Sequence, residues 1–277
     1  LKDDKILTDW NGLMIAAFSL GGQILDEPKY LEIAEKAAGF VEKNLIDNND
    51  RLMKRYRMGE SGLASHIDDY SFMVWGLLNL YEATLNLKYL TQSLELSNIM
   101  IEDFSDKNGG FFIGGKNAEK LIIRAKDSYD GAIPSGNSVA VNNLFRLGKL
   151  TGDLKWKNHA NRTLRAFTEQ AKKSPTGFAH MITGFLFDFK DPIELVIVAD
   201  SKKSNMKDIL KKINTRYYPN KIIILKDISK SNKLREIAPW TKNHVMMDNK
   251  PTYYLCENFT CKRPTTNLNT ILKFLEQ

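Results

Sequence analysis

Hydrophobic and polar positions repeat along the first two-thirds of the chain, with a period of about 60 residues. Three segments begin with a polar cluster and continue with apolar and small residues, at residues 9–16, 68–75 and 135–142. Each is followed by a second stretch with helical periodicity, at residues 30–45, 89–104 and 155–171. This order predicts three αα-hairpins.

The two helices of each predicted hairpin differ in polarity. The second helix is amphipathic, whereas the first is apolar nearly all round, which is typical of a helix buried on both sides. Inner helices covered by outer helices predict a toroid of αα-hairpins, and a simple solenoid is the structural alternative. Residues 13–20, 72–80 and 139–147 are the expected neighbouring, roughly parallel inner helices, and a fourth is expected to begin near His180.

The loops at residues 50–56 and 108–114 combine turn residues with short apolar alternation. This pattern predicts small β-excursions, which would roof the open end of a toroid.

The pattern changes in the last third of the chain. Residues 193–199 and 221–225 are rich in β-branched residues and flank a helical stretch at 205–216, which predicts a parallel βαβ unit. Weaker strand candidates lie at residues 245–247 and 252–255. Residues 266–275 predict a closing helix, which we expect to pair with the helix near His180 as the outer member of a fourth hairpin. The predicted units are therefore a partial toroid at 1–190, an α/β insertion at 191–255 and a cysteine-containing loop with the closing helix at 256–277.

Composition narrows the class of protein. The chain has 277 residues, of which 43% are hydrophobic and 26% charged, and this excludes collagenous, mucin-like and wholly disordered proteins. Its net charge of +7 is concentrated in the last third, beside a near-neutral body, and this is not the charge distribution of a dedicated nucleic-acid binder. Residues 200–204, after the first predicted strand, contain no glycine, so we expect no nucleotide cofactor there.

The chain shows neither a membrane-length apolar run nor a signal peptide at its start. With only two cysteines, the default location is the reducing cytoplasm. The first residues lack an initiator Met, which suggests that upstream sequence is missing.

Four motifs resemble the spermatogenesis-associated protein 20 / YyaL-like family: residues 4–14, 68–72, 130–138 and 256–265. Full-length members of that family combine an N-terminal thioredoxin-like domain with a six-hairpin toroid similar to glycosidases and N-acylglucosamine 2-epimerase. The resemblance implies a mainly α fold, a partial (α/α)6-type toroid with a small C-terminal α/β insertion. It also implies that the thioredoxin-like domain, an expected partner, and the early hairpins lie outside this chain. We therefore expect an uncovered apolar edge on the inner helices, which would favour self-association.

The N-terminal ends of inner helices converge in a toroid, and their free N–H groups favour anionic or polyhydroxyl ligands. The polar and aromatic residues at these ends are the predicted sugar-binding residues: Trp10, Asn11, Asp68, Tyr70, Ser135 and Asn137. Trp10, Asp69, Tyr70, Ser135 and Asn137 are expected to face one cleft. The alternative for each single polar residue is helix capping.

Two pairs are candidate catalytic residues. Asp69 with Asp127 or Asp130 is a candidate acid and base for glycoside hydrolysis. His66 and His180, each just before an inner helix, are candidate bases for a sugar epimerase.

Cys256 and Cys261 have neither the redox Cys-x-x-Cys spacing nor the partners of a zinc knuckle, so no metal is expected. Structural thiols are the first interpretation, and a disulfide or a redox role is the second.

These patterns predict a carbohydrate-active toroid that binds a small sugar, either glycoside hydrolase-like or sugar epimerase-like. The competing hypothesis is a non-catalytic binding or scaffold module that works with the missing thioredoxin-like domain.

Overall fold

Helices dominate the first 190 residues of the computed structural model, which describes residues 3–119, 122–215, 218–230 and 232–276. The helices of this part alternate between an inner and an outer layer. The inner helices are α1 (Thr8–Leu25), α3 (Ile67–Thr84), α5 (Gly136–Thr151) and α7 (Ala179–Phe189), and the outer helices are α2 (Pro28–Asn44), α4 (Leu87–Phe104) and α6 (Leu154–Lys173).

The inner helices pack side by side in chain order, α1 on α3, α3 on α5 and α5 on α7. The α1–α3 contact depends on glycine, because a Cβ on Gly12 would lie 2.5 Å from the backbone carbonyl carbon of Phe72. A Cβ on Gly76 would likewise lie 2.8 Å from the Gly12 oxygen. The predicted row of neighbouring inner helices is therefore confirmed, and small residues allow its close packing.

Outer helices bury one face and begin at polar caps. The side chains of Glu27, Asn86 and Asp153 each accept a hydrogen bond from a backbone N–H in the first turn of α2, α4 and α6. Such caps satisfy N–H groups that a helix cannot pair internally, and they fix where each outer helix starts.

The first predicted β-excursion is a three-stranded antiparallel sheet of β1 (Ile6–Leu7), β2 (Met53–Arg57) and β3 (Glu60–Ala64). The second is a loop held by single bridges, Ser105 to Phe111 and His66 to Gly114. Both lie close to the start of α3.

The last third contains the predicted βαβ unit, in which β4 (Ile193–Ala199) and β5 (Lys221–Asp227) are parallel and α8 (Met206–Asn214) connects them. Two further strands, β6 (Thr252–Glu257) and β7 (Thr260–Cys261), complete a sheet in the order β5-β4-β6-β7. Short helices α9 (Asn232–Ile237) and α10 (Leu268–Phe274) flank it. The strand candidate at 245–247 makes only an isolated bridge, between Met247 and Lys250.

The closing helix differs from the expectation. α10 packs against α8 and β6, so it belongs to the α/β segment, whereas the sequence predicted a pairing with α7. The predicted boundary between residues 255 and 256 falls inside β6. The apolar face of α10 fits the neighbouring sheet, a contact that periodicity alone cannot assign.

The α/β segment covers the C-terminal ends of the inner helices. β5 packs against α3 and α5, and the indole N–H of Trp240 donates to the Leu150 carbonyl in the last turn of α5 (3.1 Å). Lys149 and Glu194 form a buried ion pair across the same boundary (3.4 Å). The opposite, N-terminal ends of the inner helices are left for a site.

Candidate functional site

Two carboxylates and one lysine join the start of α1 to the start of α3. The Asp69 carboxylate accepts hydrogen bonds from the backbone N–H groups of Asp9 (3.1 Å) and His66 (2.7 Å). The Lys54 ammonium, on β2, lies 2.7 Å from the Asp9 carboxylate and 3.3 Å from that of Asp69. Asp9, Lys54 and Asp69 form what we call the acid–lysine cluster.

Burial governs the electrostatics of this cluster. It raises the pKa of Asp69 to about 7, even though Lys54 and the His66 N–H both favour the ionised form. Burial also lowers the pKa of Lys54, but the Asp69 and Asp9 carboxylates outweigh it and leave that pKa above its ordinary value. Lys54 is therefore a cation at neutral pH.

The other inner-helix junctions are also bridged by carboxylates. Asp68 accepts a hydrogen bond from the Gly136 N–H at the start of α5, and burial raises its pKa. Asp130 accepts from the N–H groups of Ser135 (3.0 Å) and His180 (2.8 Å), and so joins the starts of α5 and α7. Each junction thus places a carboxylate on free N–H groups at the positive ends of the helix dipoles.

A cavity of about 900 Å³, which we call the N-terminal pocket, opens beside the acid–lysine cluster. This volume is within the range of small-molecule sites. The Arg124 guanidinium is held at its edge by the Gly114 carbonyl (2.8 Å) and stacks 4.1 Å from the Phe112 ring centroid. The pocket is lined by Lys54, Leu63, Ala64, His66, Ile113, Gly114, Gly115, Lys116, Ala118, Glu119, Arg124 and Ala125.

His66 and Lys54 give this pocket a distinct chemistry. Desolvation and then the Lys54 charge lower the pKa of His66, so that its imidazole is neutral at pH 7. The residue His66 is exposed, and its backbone N–H donates to the Asp69 carboxylate at the start of α3. A neutral imidazole can accept a proton, and a nearby ammonium can stabilise negative charge.

The five side chains expected to share one cleft do not do so. Trp10 is 62% exposed, but the other four are buried. Tyr70 lies in the core, where its hydroxyl accepts a hydrogen bond from the Leu52 N–H (3.1 Å). Asn11, also predicted to bind substrate, donates its amide to the Leu7 carbonyl one helical turn earlier (2.7 Å).

Ser135 and Asn137 hold the start of α5. The Ser135 hydroxyl caps the helix by accepting from the Ser138 N–H (3.2 Å). The buried Asn137 amide accepts from the Phe111 N–H (2.7 Å) and donates to the carbonyls of Phe111 (2.9 Å) and Asp127 (2.7 Å). Both side chains thus form hydrogen bonds inside the protein, and Ser135 is a helix cap, as the alternative interpretation predicted.

His180 is not among the residues that line the N-terminal pocket. Its ring packs 5.0 Å from that of Trp75 between centroids, and its Nε2 atom is buried without a hydrogen-bond partner among the described residues. The pocket therefore does not bring His66 and His180 together as a pair of bases.

His180 should make stability depend on pH. Burial lowers the pKa of His180, against a smaller opposing effect of Asp130. Below pH 6.5 the unfolded chain binds a proton that the folded imidazole resists, so the free energy of unfolding should fall as the solution is acidified. Urea unfolding between pH 7 and pH 5 should show a shallower fall for His180→Gln than for the wild type; parallel curves would contradict this.

Sequence reasoning missed Lys54 and Arg124. Both lie in loop or strand segments, whereas the predicted sugar-binding residues were taken from the starts of the repeated inner helices. The available signal was position, because residues 50–56 were predicted to roof the open end of the toroid, where a cation would meet the helix starts.

Apolar side chains are exposed on α1 and α7, the first and last helices in the row of inner helices. On α1 the exposed residues include Met14 and Ile24, and on α7 they include Phe185 and Phe189. These side chains match the expected apolar edge, and self-association through it stays a prediction.

Cys256 and Cys261 are joined by a disulfide, so the first interpretation, free structural thiols, is wrong. The disulfide of the second interpretation is present, and the redox role stays a prediction. The strands β6 and β7 place the two residues directly opposite each other. The cytoplasmic location stays a prediction. Within the described ranges, no helix combines the length and the apolar character needed to cross a bilayer.

Comparison with known proteins gives close sequence relatives and a set of structural neighbours. No model of a protein family matches the chain. The solved structures show the fold: a GH76 α-mannanase from Bacteroides thetaiotaomicron has a TM-score of 0.55 at 16% identity, over 77% of this chain and 57% of its own. A family 76 mannosidase of the same organism gives 0.51 at 15% identity, over 98% and 70% of the two chains. Cellobiose 2-epimerase from Spirochaeta thermophila gives 0.50 at 16% identity, over 59% and 43%.

These neighbours are six-hairpin toroids, and they confirm the predicted fold class. The sequence relatives are spermatogenesis-associated protein 20 of Rattus norvegicus, 32% identical, and of Homo sapiens, 31% identical, each matching 99% of this chain. The chain spans 36% of the length of these relatives. The chain is thus similar to one part of spermatogenesis-associated protein 20, which is the resemblance that its four motifs indicated.

Proposed function

We propose that the chain binds a sugar in the N-terminal pocket and that His66 acts there as a single base in sugar isomerisation. One observation carries the proposal: the neutral imidazole of His66 and the positively charged ammonium of Lys54 both line one cavity of about 900 Å³.

The chemistry of an open-chain sugar suits these two groups. A carbon next to the sugar carbonyl can lose a proton to a neutral base, and negative charge then develops on the carbonyl oxygen. His66 would take the proton, and Lys54 would stabilise the oxyanion. Trp10, exposed at the start of α1, is not among the residues that line the pocket, and its role in sugar binding stays a prediction.

Hydrolysis is supported less well. It needs two carboxyl groups facing the substrate, about 5–9.5 Å apart. Asp69 and Asp130 both have their oxygens on backbone N–H groups at helix starts. Among the described residues that line the pocket, Glu119 is the one carboxylate.

The structural neighbours support the class of ligand. Their names describe a mannanase, a mannosidase and a cellobiose epimerase, which all act on sugars. We extend to this chain only the class of ligand, and carbohydrate metabolism is part of the same proposal.

A non-catalytic binding module is the second candidate. It is favoured by the use of Asp69, Asp130 and Asn137 to hold helix starts, since these were the residues expected to do chemistry. Binding without turnover at the N-terminal pocket would fit this candidate.

A thermal-shift screen with α-mannobiose, cellobiose and N-acetylglucosamine tests the proposal. A sugar at ten times its Kd should stabilise the protein by about 1.4 kcal/mol, and raise Tm by about 2–3 °C. Leu63→Ala should reduce that shift while leaving the Tm of the free protein nearly unchanged, because the Leu63 side chain lines the pocket and is 62% exposed. A flat screen at high sugar concentration for the wild type would count against the proposal.

A further inference from the structure

A second chemical site lies at the other end of the inner helices, on the β6–β7 hairpin. Cys256 and Cys261 face each other across the two strands and form a disulfide. Cys256 is fully buried, whereas Cys261 is partly exposed. The two sulfur atoms therefore differ in their access to solvent.

A histidine is fixed against this disulfide. The Nε2 atom of His244 lies 3.2 Å from the Cys261 sulfur and 3.8 Å from the Cys256 sulfur. The ring is packed edge-on against Tyr254 and Trp240, with centroids 4.4 Å and 5.6 Å away. Its backbone carbonyl accepts a hydrogen bond from the Lys226 ammonium (2.6 Å).

We propose that Cys256 and Cys261 are a redox-active pair that undergoes thiol–disulfide exchange with a dithiol, and that His244 carries the proton. A structural disulfide needs no acid–base group, but exchange moves a proton between sulfur atoms. Burial lowers the pKa of His244, which leaves its imidazole neutral and ready to accept that proton.

The exchange balances in two steps. His244 accepts the proton of one thiol of the incoming dithiol, whose sulfur attacks the accessible Cys261 sulfur. The Cys256–Cys261 bond breaks, and the Cys256 thiolate takes the proton from His244. The second thiol of the dithiol then attacks the mixed disulfide, releases Cys261 as a thiol and closes the dithiol's own disulfide, so that two electrons pass to the cysteine pair.

The hairpin is anchored so that the reduced pair stays in place. The Lys149 ammonium donates to the Asn258 side chain at its tip (2.7 Å), and the Phe259 N–H donates to the Glu194 carboxylate (3.2 Å). These contacts do not involve the sulfur atoms, so the two thiols remain opposite each other and can form the disulfide again.

The test follows the reduction of the native protein by dithiothreitol at pH 7, with maleimide trapping and mass spectrometry. We expect reduction without unfolding, and re-oxidation by oxidised dithiothreitol. His244→Gln should slow both directions at least about tenfold, whereas His159→Gln, a histidine on α6, should react like the wild type. Reduction that occurs only in denaturant, or equal rates for His244→Gln and the wild type, would overturn the proposal.

Single-cysteine variants keep the test decisive if His244→Gln fails to fold. With 5,5′-dithiobis(2-nitrobenzoate), Cys256→Ser, which leaves Cys261, should react at least about tenfold faster than Cys261→Ser. Equal reactivity would contradict attack at Cys261. Retention of one equivalent of zinc by the reduced wild type after gel filtration would identify His244 and the two cysteines as a metal site and overturn the redox proposal.

Discussion

Asp69→Asn should lower the free energy of unfolding by about 3 kcal/mol, with no sugar present. Both oxygens of Asp69 accept backbone hydrogen bonds, from Asp9 and His66, so an amide nitrogen in place of either oxygen faces another donor. Lys54 also loses one of its two buried carboxylate partners. Equilibrium unfolding in urea at pH 7 measures the effect.

Asp208→Asn is the matched control. Asp208 occupies the third position of α8, as Asp69 does in α3, but it is exposed. Its change should stay within about 0.5 kcal/mol. If Asp69→Asn were as stable as this control yet lost all turnover, Asp69 would be a catalytic residue, as the sequence suggested, and its anchoring role would be wrong.

His66→Ala should reduce sugar isomerisation at least about 100-fold while leaving Tm nearly unchanged. The side chain is exposed in the N-terminal pocket, whereas the backbone N–H that bonds Asp69 remains in the variant. Turnover of whichever sugar passes the thermal-shift screen, measured at saturating concentration, gives the comparison.

His159→Ala is the control for this loss, because His159 also has a pKa lowered by burial but lies on α6, outside the pocket. Equal turnover of His66→Ala and the control would remove His66 from the reaction. If both variants bound the sugar and neither turned it over, the result would favour the non-catalytic binding module.

The row of inner and outer helices could be predicted because polarity reports burial directly. Phe72 and Val139 lie on helices that are apolar nearly all round, and both side chains are fully buried. The parallel strands β4 and β5 could also be predicted, because a strand that is covered on both faces appears in the sequence as a continuous run of β-branched residues. These signals are local in sequence.

The direction in which each polar side chain points could not be predicted from the sequence. An aspartate at a helix start can face a cleft or the free N–H groups of the next helix, and sequence does not distinguish the two. Asp68 and Asp130 bond to neighbouring helix starts. Asn137 was predicted to bind a sugar, but its side-chain amide makes three hydrogen bonds to the backbone of Phe111 and Asp127.

Lys54 shows the other limit. It reaches the acid–lysine cluster from strand β2, 45 residues away from Asp9 along the chain. The pairing depends on how the β1–β3 sheet covers the helix starts, which is a tertiary relation. The same holds for α10, whose partner is the sheet.

Hydrogen–deuterium exchange of the full chain, with and without saturating sugar, tests the central claim most directly. The three sugars of the screen serve as ligands, and the readout is the change in protection of each peptide. A sugar in the N-terminal pocket should slow exchange in residues 54–66 and 113–119, while strands β4 and β5 at the opposite end stay unchanged. Protection confined to the α/β segment, or no change with any of the three sugars, would contradict the account.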